Sequence, residues 1–145
     1  MKRTKIKLTK DRRIFVKQST VYVISLVGEI SFEGSIEFIQ KAENINIEVY
    51  INSFLEGNSG LVLEVLFRNY SHNNIGKYNL QSRVIIDGNS SATIRPILIV
   101  GSKEYQANHK LSVGGIDSAA SQYLNTKGLD RTQIKKLIKE SFINF

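Results

Sequence analysis

The chain has 145 residues, 41% hydrophobic and 23% charged, enough for one domain with a real core and too few for two ordinary ones. It contains no cysteine, which excludes a disulfide framework, a thiolate zinc site and a cysteine nucleophile together. The net charge of +7 invites a nucleic-acid or acidic-surface partner, but the excess is local. Residues 1–17 hold eight Lys or Arg against one acid, Asp11, while the other 128 residues balance twelve bases with twelve acids. Within that body, 18–64 carries seven Glu and only Lys41, and 65–145 is net basic.

From the amino end, residues 1–17 read as a basic arm to which Ile6, Leu8, Ile14 and Val16 lend some strand character. The arm has one aromatic, Phe15, and lacks the interleaving of aromatics with bases that nucleic-acid platforms use, so nucleic acid is not the expected partner. A basic start before apolar residues has the outline of a signal peptide. Lys17, Gln18, Ser19 and Thr20 interrupt the run, however, and no small-residue cleavage site follows before Glu29. The longest uncharged stretch, Gln18 to Gly28, has eleven residues, short of the roughly twenty that span a bilayer. A cytoplasmic protein without a membrane partner is expected.

The body from 18 to 113 has a period of two. In 29–38, Ile30, Phe32, Ile36 and Phe38 alternate with Glu29, Glu33, Ser35 and Glu37, the pattern of a strand with one wet face. Similar runs occupy Val21–Val27, Ile45–Ile51, Leu61–Phe67, Arg83–Ile86 and Thr93–Val100. Turn chemistry separates them at Glu56-Gly57-Asn58-Ser59-Gly60, at 71–76, at Asp87-Gly88-Asn89-Ser90 and at Gly101-Ser102. A sandwich, a barrel and an irregular β-solenoid all satisfy this alternation, and no strict internal repeat selects a regular β-helix.

Beyond Gly114-Gly115 the period becomes helical. Ile116, Ala119, Ala120, Tyr123 and Leu124 share a face, Asp117 is placed as the cap, and Lys127-Gly128 closes the helix. Asp130 opens a second helix with Gln133 as its capping-box partner. Its apolar face is Ile134, Leu137, Ile138 and Phe142, leaving Lys135, Lys136 and Lys139 wet.

Catalytic signatures are missing: no Walker A loop, GxGxxG, HExxH or GxSxG occurs, and an enzyme is not expected. His72 falls in a turn-rich stretch and reads as a solvated loop histidine, while His109 lies 37 residues away without a helical metal partner. Glu29, Glu33 and Glu37 read as a solvated strand face, with a partner-facing acidic patch as the functional alternative.

One stretch carries a specific pattern. In order along 91–145 stand Pro96, Leu98, His109, Val113, Gly114, Asp117, Tyr123, Leu124, Gly128, Leu129 and Phe142. This resembles the carboxyl-terminal part of the SufB/SufD family of iron–sulfur cluster assembly proteins, with a looser likeness back to about residue 61. The resemblance implies a mainly β fold, a short right-handed parallel β-helix (solenoid) over 18–113 followed by a small two-helix segment over 114–145. It implies a component of cluster assembly that pairs as a homodimer or with a SufB-like chain and docks a SufC-like ABC ATPase through its carboxyl-terminal helices, where Tyr123, Leu124, Lys135 and Lys139 are the candidate contacts. His109 is then the candidate ligand for iron or an iron–sulfur cluster, held transiently and shared with a partner. Family members are two to three times longer, SufB-type scaffolds supply a cysteine, and a glutamate that follows the histidine in SufB is Lys110 here. The chain therefore looks closer to SufD. A β-rich interaction module that has lost the cluster chemistry is the competing expectation.

Overall fold

In the computed structural model, residues 1–69, 75–102, 104–116 and 128–145 are described. Nine strands precede one helix among them: β1 (Lys2–Ile6), β2 (Arg12–Val16), β3 (Thr20–Gly28), β4 (Ser31–Gln40), β5 (Ile45–Leu55), β6 (Gly60–Asn69), β7 (Gly76–Ile86), β8 (Ser91–Val100), β9 (Gln106–Gly115) and α1 (Arg131–Ile143). Successive strands alternate between two sheets. One has the order β1-β3-β5-β7-β9 and the other β2-β4-β6-β8, and every pairing is parallel. Of the architectures that fit the alternation, the chain is a β-solenoid.

The inward residues explain why the strands stack. Tyr22 pairs with Val49, Val49 with Leu80 and Leu80 with His109, so one position on each coil of the odd sheet forms a column into the interior. The even sheet answers with Ile36, Phe38, Leu63, Val65 and Phe67, all fully buried. Rings lock adjacent columns together: Tyr22 meets Phe38 with centroids 5.0 Å apart, and Phe67 stacks on Tyr78 at 4.3 Å. Paired residues are 27 positions apart from Thr20 to Ile47, 31 from Ile47 to Tyr78 and 29 from Tyr78 to Ala107. Corner lengths absorb these differences, so no fixed sequence period is needed.

The corners after β3, β5 and β7 stack as well. Ser59 Oγ donates to the Glu56 carbonyl at 2.6 Å and accepts from Ile30 N–H at 2.9 Å. One coil on, Ser90 Oγ donates to the Asp87 carbonyl and accepts from Ser59 N–H, both at 3.2 Å. Gly57 and Gly88 turn these corners at φ +63° and +80°, a region glycine enters without strain. A Cβ on Gly88 would stand 2.9 Å from the Gly57 carbonyl.

The basic stretch 1–17, read from sequence as an arm, supplies the first coil. Ile6, Leu8 and Val16 are buried, Ile14 packs on the same core, and β1 and β2 pair with β3 and β4. Apolar residues at those four positions outweigh the charge between them. The β body likewise runs to Gly115.

The expected second helix is present as α1. Asp130 Oδ1 accepts from Gln133 N–H at 2.8 Å, and Gln133 Oε1 accepts from Asp130 N–H at 3.1 Å, the anticipated capping box. The expected first helix, with Asp117, Tyr123 and Leu124, lies outside the described residues. The buried face of α1 is Ile134, Ile138 and Phe142, set against Phe54, Ile85 and Ile116. Leu137, placed in the apolar face by sequence, is instead 44% exposed. The sheet offers α1 one narrow apolar column, which four-residue spacing fills and Leu137 misses.

Lys135 and Lys139 also depart from expectation. Lys135 Nζ bridges Glu56 at 2.9 Å and Asp87 at 2.8 Å, Lys139 Nζ meets Glu56 at 2.9 Å, and Arg131 meets Asp87 at 3.6 Å. Glu56 and Asp87 follow paired residues Leu55 and Ile86, so they stand one above the other on adjacent coils. The helix thus runs along the stack, from the β7 corner down to β3, where Ser25 Oγ donates to the Phe142 carbonyl at 2.6 Å. Past its end, Lys5 and Arg3 of β1 donate to the backbone oxygens of Ile143 and Phe145.

The Lys139 hydrogen bond holds the Glu56 carboxyl below its ordinary value of 4.5; Lys135 adds to the effect and burial opposes it. A lowered carboxyl pKa stabilises the fold above the ordinary value, and that contribution is lost as pH falls through the lowered one. Glu56→Gln is expected to cost about 1 kcal/mol near pH 7 and progressively less as pH falls below the ordinary carboxyl value, read from urea unfolding across that range. Ile138→Ala, at a 1% exposed site, is expected to cost about 2–5 kcal/mol in the same assay.

Candidate functional site

A solenoid has two ends, and here they differ chemically. At the carboxyl-terminal end, β8 and β9 are the last strands of their sheets, each ten residues long. Their inward positions follow from the register. Ile94, Pro96 and Leu98 continue the columns of Leu63, Val65 and Phe67, and Ala107, His109, Leu111 and Val113 continue those of Tyr78, Leu80, Ser82 and Val84. Among the described residues nothing stacks on this coil. Leu98 is 50% exposed, Leu111 42% and Val113 54%, although each occupies a core position.

His109 is the polar member of this surface. It stands above Leu80 in an interior column, yet it is exposed because no coil among the described residues covers it. Beside it opens a cleft of about 300 Å³ lined by Tyr78, Pro96, Ile97, Leu98, Ala107, Asn108 and His109. Tyr78 is buried and its hydroxyl has no hydrogen-bond partner among the described residues. Burial raises the phenol pKa of both Tyr78 and its neighbour Tyr105, so both remain protonated donors.

Chemically, this end offers an imidazole in an apolar frame and two strand edges that pair with no further strand among the described residues. An edge of this kind adds a strand from a partner, its apolar positions filling the partner's gaps. Among the described residues no three His, Asp or Glu side chains gather at one point, so any metal held at His109 would draw its remaining ligands from elsewhere.

The other candidate residues separate from this end. Lys135 and Lys139, the expected partner contacts, are engaged with Glu56 and Asp87 on the flank of the odd sheet. Tyr123 and Leu124 fall outside the described residues, as does His72. Glu33 and Glu37 do share the outward face of β4, but Glu37 lies between Arg13 at 3.4 Å and Arg68 at 2.5 Å, and Glu29 sits in the corner against Gly57. The acidic strand face is therefore partly neutralised.

Sequence reasoning missed Leu98, Leu111 and Val113 as surface, and the Glu56–Asp87 column as a helix dock. The second had a signal: Glu56-Gly57-Asn58-Ser59 recurs as Asp87-Gly88-Asn89-Ser90 at the 31-residue advance of the coils. The first had none, because an alternating strand reads the same whether or not another coil covers it. No protein-family profile, curated protein or solved structure matches the chain.

Proposed function

We propose that this chain is a non-enzymatic component of iron–sulfur cluster assembly of the SufB/SufD kind, pairing through the open end of its solenoid. The observation that carries the reading is the position of His109, an exposed imidazole on an uncapped interior column between apolar neighbours. The ordered residues from Pro96 to Phe142 support it from the sequence side, and a parallel solenoid is the architecture that resemblance implies. The right-handed coil sense belongs to the same reading, being the usual hand of parallel crossovers.

In this reading a second solenoid, from another copy or a SufB-like chain, stacks on β8 and β9. Leu98, Leu111 and Val113 become interior, and His109 becomes a ligand at the joint. Iron or a cluster there takes its thiolates from the partner, since this chain has no cysteine. A SufC-like ABC ATPase docks on the 114–145 surface. Among its described residues, the outward side of α1, with Lys136, Leu137 and Glu140, takes no part in the Glu56 and Asp87 ion pairs.

The second reading is a β-rich interaction module with the pairing end and no cluster chemistry. The absent cysteines, together with Lys110 beside His109, favour it. Two variants separate the readings. Val113→Lys puts a charge in the joint and is expected to weaken pairing by about a hundredfold, measured by analytical ultracentrifugation or co-purification. His109→Ala is expected to leave pairing within about threefold while lowering maturation of iron–sulfur enzymes in cells. Unchanged maturation with His109→Ala selects the second reading, and failure to retain either a SufB-like chain or a SufC-like ATPase overturns the first.

A further inference from the structure

The opposite end of the stack is basic. All eight bases of residues 1–17 are fixed on or beside β1 and β2, the terminal strands of the two sheets. Three have internal partners: Arg3 and Lys5 on the tail oxygens, and Arg13 on Glu37. Lys2, Lys7, Lys10, Arg12 and Lys17 are exposed and make no ion pair among the described residues. Asp11, the one acid within residues 1–17, accepts the Ser35 N–H at 2.9 Å, and Glu33, Glu37 and Glu64 stand on the next coils of the even sheet.

Edge protection accounts for part of this. Lys2 and Arg12 occupy inward register positions beside Thr20 and Ile36, and a short strand with inward charges resists the addition of another strand. It does not account for Lys7, Lys10 and Lys17, which lie in the connections outside β1 and β2. These place positive charge at the corners of the coil as well as along its strands. The pattern covers an area.

Apolar side chains stand at the same end. Phe15 on β2 is 51% exposed, and Ile143 and Phe145, held beside β1 by Lys5 and Arg3, are 53% and 43% exposed. We propose that this first coil, with the 143–145 tail, is a docking surface for an anionic lipid bilayer. Phosphatidylserine-type headgroups meet the free cations while Phe15, on the outer face of β2, and Ile143 and Phe145, on the outer side of β1, reach the interfacial layer from the two sides of the first coil, a combination that interfacial proteins use. Nucleic acid fits less well. Phe15 has Lys41 at 5.4 Å from its ring, and Phe145 has Arg3 and Tyr50 each at 5.2 Å, so each ring has one face occupied, and Ile143 cannot stack. No helix among the described residues is long and apolar enough to cross a membrane, so the contact is peripheral. The surface is independent of the proposed pairing at β8 and β9 and lies at the other end of the stack, so both can be occupied together.

Co-sedimentation of the full chain with vesicles tests it, using phosphatidylcholine alone and phosphatidylcholine with phosphatidylserine at about 2:1. The chain is expected to bind only the mixed vesicles and to be released when salt is raised to about 0.5 M. Lys7→Gln, Lys10→Gln and Lys17→Gln combined should weaken binding about a hundredfold, at about fivefold for each charge removed. Phe15→Ser with Ile143→Ser should weaken it about tenfold without changing the salt dependence. Circular dichroism checks that each variant keeps the wild-type fold. Wild-type protein that treats the two vesicles alike overturns the proposal without any variant. Tighter binding to an RNA duplex than to mixed vesicles, lost in the triple Lys→Gln variant, overturns it in favour of nucleic acid.

Discussion

Parallel stacking of coils in register is the constraint from which the other features of this protein follow. Each interior column is a chain of contacts between residues some thirty positions apart, and a strand buries its inward face against the coils beside it. The corners enforce the same register through backbone hydrogen bonds in which Glu56 donates to Gly28, Asp87 to Leu55 and Ser91 to Ser59. A stack built this way has two ends at which the rule stops. Their chemistry decides what the protein can meet.

The two ends are made differently. At β1 and β2 the strands are five residues long and lysine or arginine stands at inward positions, a construction that closes an edge to further strands. At β8 and β9 the strands are twice that length and the inward positions remain apolar, apart from His109. One guarded and one unguarded end suit the proposed face-to-face pair, which closes at two, whereas two unguarded ends would allow an open filament.

Helix α1 depends on the same stacking. Arg131, Lys135 and Lys139 are four residues apart, about 6 Å along a helix, and the coils they meet are about 4.8 Å apart. The mismatch is small enough for flexible side chains to bridge, so Lys135 reaches both Asp87 and Glu56. Apolar contact through Ile134, Ile138 and Phe142 supplies most of the attachment, and the ion pairs set where the helix lies along the stack. By covering one outer face of the odd sheet, α1 helps parallel strands avoid water on both sides.

Much of this was legible in the residues. Alternation from Val21 to Val100 defined most of the strands, and Asp130 with Gln133 defined the start of α1, because both signals are local and depend only on period and capping. Strand β9 was less legible, since Gln106 to Gly115 is polar and glycine-rich and owes its conformation to pairing with β7. The packing of Ile6, Leu8 and Val16 of the basic first coil, the exposure of Leu137, the anchoring of Lys135 and Lys139 and the open position of His109 were decided by tertiary structure alone. Each depends on which residues from distant coils stand opposite one another, and an alternating pattern is the same in the middle of a stack as at its end. The +7 charge shows the division most simply: the sequence determined that the excess lies in residues 1–17, and only the stacking determined that these residues form one end of the protein.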